Sequence, residues 1–157
     1  MSRKSGTLQT WQNLSRYPGG KWLFSKVVAR TAPYFATIRP RITQLEPGLC
    51  EVKFKKRRKV QNHIGTVHAI AICNAAELAA GVMTDASIPV SHRWIPKGMT
   101  VEYLAKAATH LTARAELDIV PAFGEAQDLA VPVSVLDANG KEVVRATITM
   151  WVSPRKS

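Results

Sequence analysis

The chain has 157 residues, a net charge of +11 at pH 7 and two cysteines. That length suits one domain with a real core, the apolar content excludes disorder throughout, and two cysteines exclude a disulfide scaffold. The charge predicts an anionic partner: nucleic acid, acidic lipid or a phosphate-bearing small molecule.

No apolar run reads as long enough to cross a bilayer. Arg3 and Lys4 are followed by Gln9, Gln12 and Asn13, where a signal peptide would be apolar, so the expected location is the cytosol. Residues 8–36 predict helix in two pieces, broken at Pro18-Gly19-Gly20. Trp11 and Leu14 form one apolar stripe. Trp22, Leu23, Val27 and Val28 form a second, with Lys21, Lys26 and Arg30 outside it. Such a segment packs on a sheet or over a pocket mouth. A second reading is peripheral membrane contact, because Trp with Lys/Arg is what interfacial helices use.

Residues 38–46 predict a first strand, and 49–58 a second in which Cys50, Val52 and Phe54 alternate with Glu51, Lys53 and Lys55. Pro47-Gly48 between them predicts a hairpin. The basic run Lys55–Lys59 lacks the interleaved aromatics of a nucleic-acid patch. It reads as a solvated strand face or edge, and nucleic acid is not an expected partner.

Next comes a turn, Asn62-His63-Ile64-Gly65, then an almost wholly apolar helix with Thr66 as its N-cap and Gly81 at its end. Its polar side chains are His68, Asn74 and Glu77. Asn74 and Glu77 are three apart and share a face with Thr66, Ile70 and Cys73, at ~100° per residue. A lone carboxylate in such a helix costs free energy unless it is paired or functional. The free amides and positive dipole end at the helix start can hold an oxyanion. Cys73 reads as a small buried side chain. The four histidines show no pattern of metal ligands.

Met83–Lys97 predicts connecting chain, with Pro89 and Pro96 marking irregular backbone. Alternation then predicts strands at 101–107, 111–118, 131–135 and 144–152. Asp137-Ala138-Asn139-Gly140 predicts a hairpin turn, since Asn-Gly tolerates positive φ at both central positions. A helix apolar on nearly every side must be covered all round. The expected class is therefore α+β, with a curved antiparallel sheet wrapped around a central helix.

This β-β-helix-β-β-β-β order resembles the hotdog fold. Asn62-x-x-Gly65-x-x-His68, with an acid at Glu77, is similar to the motif of the phenylacetate-pathway and 4-hydroxybenzoyl-CoA type acyl-CoA thioesterases, commonly N-x-x-G-x-x-H-G-G with Asp or Glu later on the helix. The chain is most similar to an uncharacterised bacterial branch of these thioesterases. The resemblance implies an N-terminal helical extension (1–36), a hotdog domain (37–153) and a tail (154–157). It implies an acyl-CoA thioesterase with no metal and no cofactor beyond the coenzyme A of its substrate. Glu77 would be base or nucleophile, and the Ala69 amide, with His68 or Asn62, would hold the oxyanion. His63, Gly65 and Asn74 would line the substrate, and Arg57, Arg58, Arg93 and Lys97 would receive the nucleotide of coenzyme A. It also implies a homodimer or dimer of dimers in which the helix start of one copy faces the acid of the other. Ala69 and Ile70 replace the two glycines of the motif. Ala69 keeps its N–H, but its Cβ crowds the approach. Two alternatives come with the fold. One is a non-catalytic acyl-CoA or lipid-binding protein. The other is a hydroxyacyl-thioester dehydratase, since His63 and Glu77 have the spacing of that family's His/Glu pair, although Ile64-Gly65-Thr66 stands where it has Phe-Pro-Gly.

Overall fold

The structure is a computed structural model describing residues 5–156; Arg3, Lys4 and Ser157 lie outside the described residues. Two helices open the chain, α1 (Gly6–Leu14) and α2 (Gly20–Thr31). A 3-10 turn over Pro33–Ile38 leads to β1 (Arg41–Glu46) and β2 (Leu49–Phe54). The central helix α3 (Ala69–Ser87) follows, then β3 (His92–Tyr103), β4 (Leu111–Glu116), β5 (Gln127–Leu136) and β6 (Glu142–Pro154). The strands form one antiparallel sheet in the order β1-β2-β4-β5-β6-β3.

Alternation decides which face is buried. Cys50, Val52 and Phe54 of β2, Ala113 and Ala115 of β4, Val131, Val133 and Val135 of β5, and Ile148 and Met150 of β6 all point inward. They close on Ile72, Ala75, Ala76, Leu78, Ala79 and Met83 of α3, and Leu8, Trp11 and Phe24 of the first two helices join the same core. The run of alanines on α3 lets the sheet approach the helix closely. Contrary to the sequence expectation, α3 is long and apolar enough to span a bilayer, with 19 residues and a mean hydropathy of 1.2. Two-thirds of it is buried inside the protein, as befits a core helix.

Helix α3 begins at Ala69, not after Thr66. Asn62 captures Thr66 first: its Oδ1 accepts from the Ile64 and Thr66 amides and its Nδ2 donates to Thr66 Oγ1. Gly65, with φ 77°, supplies the left-handed residue that this turn requires. Val67 and His68 then donate to the carbonyls of Ala107 and Val60, which holds 66–68 extended. His68 becomes the N-cap, its Nδ1 accepting from the Ile70 amide at 3.1 Å. The helix also runs through Gly81 to Ser87. Gly81 is a packing residue: a Cβ there would lie 2.8 Å from Trp94 Cη2.

Strand β3 occupies most of the stretch expected to be connecting chain. Among the described residues it pairs only with β6, so Pro96 sits on an edge strand beside a register shift at Pro96/Gly98 and no ladder bond is lost there. Leu104–Ala107, expected to be strand, leaves the sheet. The basic run also leaves it, because β2 ends at Phe54 and a 3-10 turn covers Arg58–Val60. In the last hairpin only Gly140 has positive φ; Asp137 Oδ1 accepts from the Asn139 and Lys141 amides and shapes the turn instead.

The two sheet edges differ. Ser25 of α2 is buried, and its Oγ accepts from the Ile42 amide at 2.8 Å, while Lys21 Nζ donates to the Thr43 carbonyl. These contacts cover β1. Among the described residues the outer edge of β3 pairs with no other strand, and β3 carries exposed Ile95 and Tyr103.

Candidate functional site

Glu77 is half-buried on α3 where two cavities meet. The smaller, about 310 Å³, lies between α3 and the 3-10 turn, and Tyr34, Ile70, Cys73 and Asn74 line it. The larger, about 520 Å³, is walled by Phe24, Val27, Val28 and Phe35 on one side and by Leu78, Val82 and Trp94 on the other. Its wall is mostly apolar and comes from α2 as much as from α3. The sequence placed a helix over a pocket mouth but did not show that Phe24 and Trp94 meet there. Glu77 makes no hydrogen bond or ion pair among the described residues.

Asn74 lies one helical turn before Glu77. Its Nδ2 donates to Thr37 Oγ1 at 3.1 Å and to the Tyr34 carbonyl at 3.4 Å. Its Oδ1 is buried with no donor among the described residues, an unsatisfied acceptor in the wall beside Glu77. Cys73 is not the buried cysteine that its helical position suggested. Its Sγ lies 3.7 Å from the Tyr103 hydroxyl, and that hydrogen bond, followed by burial, raises the phenol's pKa. Cys50 is the fully buried one, and burial pushes its thiol pKa far up, which makes it inert.

At the helix start the Ala69 amide donates to nothing among the described residues. His68 Nδ1 accepts a backbone hydrogen bond, so the neutral ring carries its proton on Nε2. That leaves the exposed His68 with an outward donor beside the free amide. Asn62 does not join them: its side chain is spent within its own turn, which also holds Gly65 and the exposed His63. Ala69 and Glu77 are eight residues apart on one helix, about 12 Å along the axis. One chain therefore cannot bring both to one carbonyl.

The four proposed cations also separate. Lys97 binds Asp128 at 2.9 Å and lies over the Trp151 ring. Arg93 is on β3, opposite Ser153. Arg58 is exposed on the 3-10 turn after β2. Arg57 turns inward and donates from Nη2 to the Thr37 carbonyl, leaving its Nε buried and unpartnered. Burial and the nearby Arg39 both lower its pKa. No three His, Cys, Asp or Glu side chains cluster as a metal-ligand set among the described residues.

A long helix held against one antiparallel sheet in this strand order is the hotdog fold. Within it the chain belongs to a family described as a domain of unknown function, DUF4442, whose profile matches residues 20–152. It is similar to a structural-genomics crystal structure at 52% identity and TM-score 0.82, covering 95% of this chain and 99% of the other. It also has the fold of a Pseudomonas aeruginosa protein described as a probable thioesterase (19% identity, TM-score 0.76, 83% and 93% covered). A thioesterase family protein from Silicibacter pomeroyi shares that fold too (18% identity, TM-score 0.71, 83% and 96% covered). No curated protein matches the chain.

Proposed function

We propose that the protein hydrolyses an acyl-CoA thioester in a site completed by a second copy. The observation that carries this reading is the partnerless Glu77 carboxylate on the wall of an apolar cavity, about 12 Å along α3 from the free Ala69 amide. Two copies paired along the open β3 edges would bring the helix start of one toward Glu77 of the other. A long edge strand with exposed apolar side chains is a template for such pairing.

In this mechanism the acyl group fills the cavity beside Phe24 and Trp94. Glu77 takes a proton from a water, and the water attacks the carbonyl carbon. The Ala69 amide, the helix dipole and His68 Nε2–H of the partner helix stabilise the oxyanion. Collapse of the tetrahedral intermediate expels the coenzyme A thiolate. The fold relatives described as thioesterases support this class of reaction. Exposed Ile70, where the motif has glycine, favours a second reading in which acyl-CoA is bound without being cleaved.

Hydrolysis of an acyl-CoA panel by wild type and Glu77→Gln tests the choice. General-base catalysis predicts a loss in kcat of about 10²–10⁴-fold. A variant that keeps full rate refutes the role of Glu77, and a wild type that binds but turns over no chain length establishes the binding reading.

A further inference from the structure

A third cavity, about 980 Å³, does not hold Glu77. It opens between α2, the segment around Arg39 and the outer face of β1 and β2. Seven cations line it against a single carboxylate, Asp137. Lys53 is paired with Glu51, but Lys26, Arg30, Arg39, Arg41, Lys55 and Arg57 have no acidic partner among the described residues. Asp137 is occupied in shaping its own turn.

Gathering like charges in a concave site costs free energy unless an anion fills it. Two details point to a built site rather than a general basic surface. The Arg57 Nε is buried and lacks an acceptor, and Arg39, its repelling neighbour, holds a left-handed backbone at φ 51°. The rim carries one aromatic plane, Trp22, with Lys26 Nζ 5.6 Å from its centroid. A single exposed indole beside several cations suits one stacked base with its phosphates, not a strand of bases. The volume is that of a small-molecule site.

Thr37 joins this groove to the Glu77 cavities. Its Oγ1 accepts from Asn74, and its carbonyl accepts from Arg57. Tyr34 and Phe35 wall the cavities at Glu77, while Ala36, Arg39 and Pro40 wall the groove.

We propose that this groove binds a multiply phosphorylated nucleoside, with Trp22 under the base and Lys26, Arg39, Lys55 and Arg57 on the phosphates. The ligand's identity as the nucleotide end of coenzyme A rests on the thioesterase reading. Arg58, Arg93 and Lys97 lie outside the groove.

Titration calorimetry of adenosine 3′,5′-bisphosphate into the full chain tests the site. Saturable binding is expected in wild type, together with affinity about tenfold weaker in Arg57→Gln. Because Arg57 also holds Thr37, the exposed pair Lys26→Gln/Lys55→Gln provides a second variant with the same expected loss. Inorganic phosphate should bind more weakly than the nucleotide, and adenosine should not bind. Kinetics supply the link to substrate: the preference for acyl-CoA over acyl-pantetheine, as a ratio of kcat/KM, should fall about tenfold in both variants. Absence of nucleotide binding, or binding and preference unchanged in both variants, overturns the proposal. Nucleotide binding that depends on these cations, in a protein that cleaves no thioester, refutes the thioesterase reading and leaves the nucleotide site standing. Thioester cleavage without such binding does the reverse.

Discussion

Gly81→Ala sets two effects of known sign against each other. In a helix interior, alanine is favoured over glycine by about 1 kcal/mol. Here the added Cβ would lie 2.8 Å from Trp94 Cη2 and 3.4 Å from Cζ3. The indole cannot simply swing aside, because its Nε1 donates to Asp85 at 3.1 Å and its backbone is paired to Val152. Overpacking of this kind costs about 1–3 kcal/mol, and disturbing the Asp85 bond adds about 0.5–1.5 kcal/mol. The net expectation is a loss of about 1–3 kcal/mol, or roughly 3–10 °C in Tm for a chain of this length. Scanning calorimetry at fixed protein concentration measures it. In a Trp94→Phe background the outer ring is gone, and Gly81→Ala should become neutral or stabilising. A higher Tm for Gly81→Ala alone, or an equal loss in both backgrounds, would refute the packing role assigned to Gly81.

Two further predictions concern the sheet. Ser25→Ala should cost about 1–3 kcal/mol by urea unfolding, because it strands the buried Ile42 amide on the β1 edge; no change would mean that α2 does not cover that edge. For Glu51, burial alone would raise the carboxyl pKa, but the Thr43 hydroxyl at 2.6 Å, with Lys53 and Arg114, outweighs it and lowers the value. A depressed folded-state pKa gives stability that is present above the unfolded value and is lost as pH falls through the folded one. Wild type should therefore exceed Glu51→Gln in stability near neutral pH, with the gap closing at pH values below the ordinary carboxylate range. A gap that widens in acid contradicts the sign.

The architecture was legible where alternation was clean. Cys50-Val52-Phe54 and Val131-Val133-Val135 reported a half-buried sheet, and the largely apolar stretch before Gly81 reported a helix covered on most sides. Helix ends were less legible, because tertiary bonds competed for the local signals. Thr66 has the chemistry of an N-cap, but Asn62 takes it, and Gly81 has the chemistry of a stop but serves Trp94. Strand β3 was hidden because an edge strand tolerates Pro96 and Gly98 and leaves residues exposed on both faces. Glu77 and the helix start stood out as chemically odd. The cavity wall from Phe24 and Trp94, and the gathering of Lys26, Arg39 and Arg57, depend on contacts between distant parts of the chain that no local pattern encodes.

The central claim is that Ala69 of one copy and Glu77 of another share a thioester, and a mixing experiment tests it most directly. Ala69→Pro deletes the amide while sparing the helix: Ala69 is the first helical residue, where proline is accepted, and His68 at φ −64°, ψ 137° already has the backbone that precedes proline. Ala69→Pro and Glu77→Gln should each be nearly inactive alone. Unfolded together and refolded, they should form half mixed dimers with one intact site each, and recover about a quarter of wild-type activity. Refolded mixtures that stay as inactive as the separate variants would contradict a site shared between two copies.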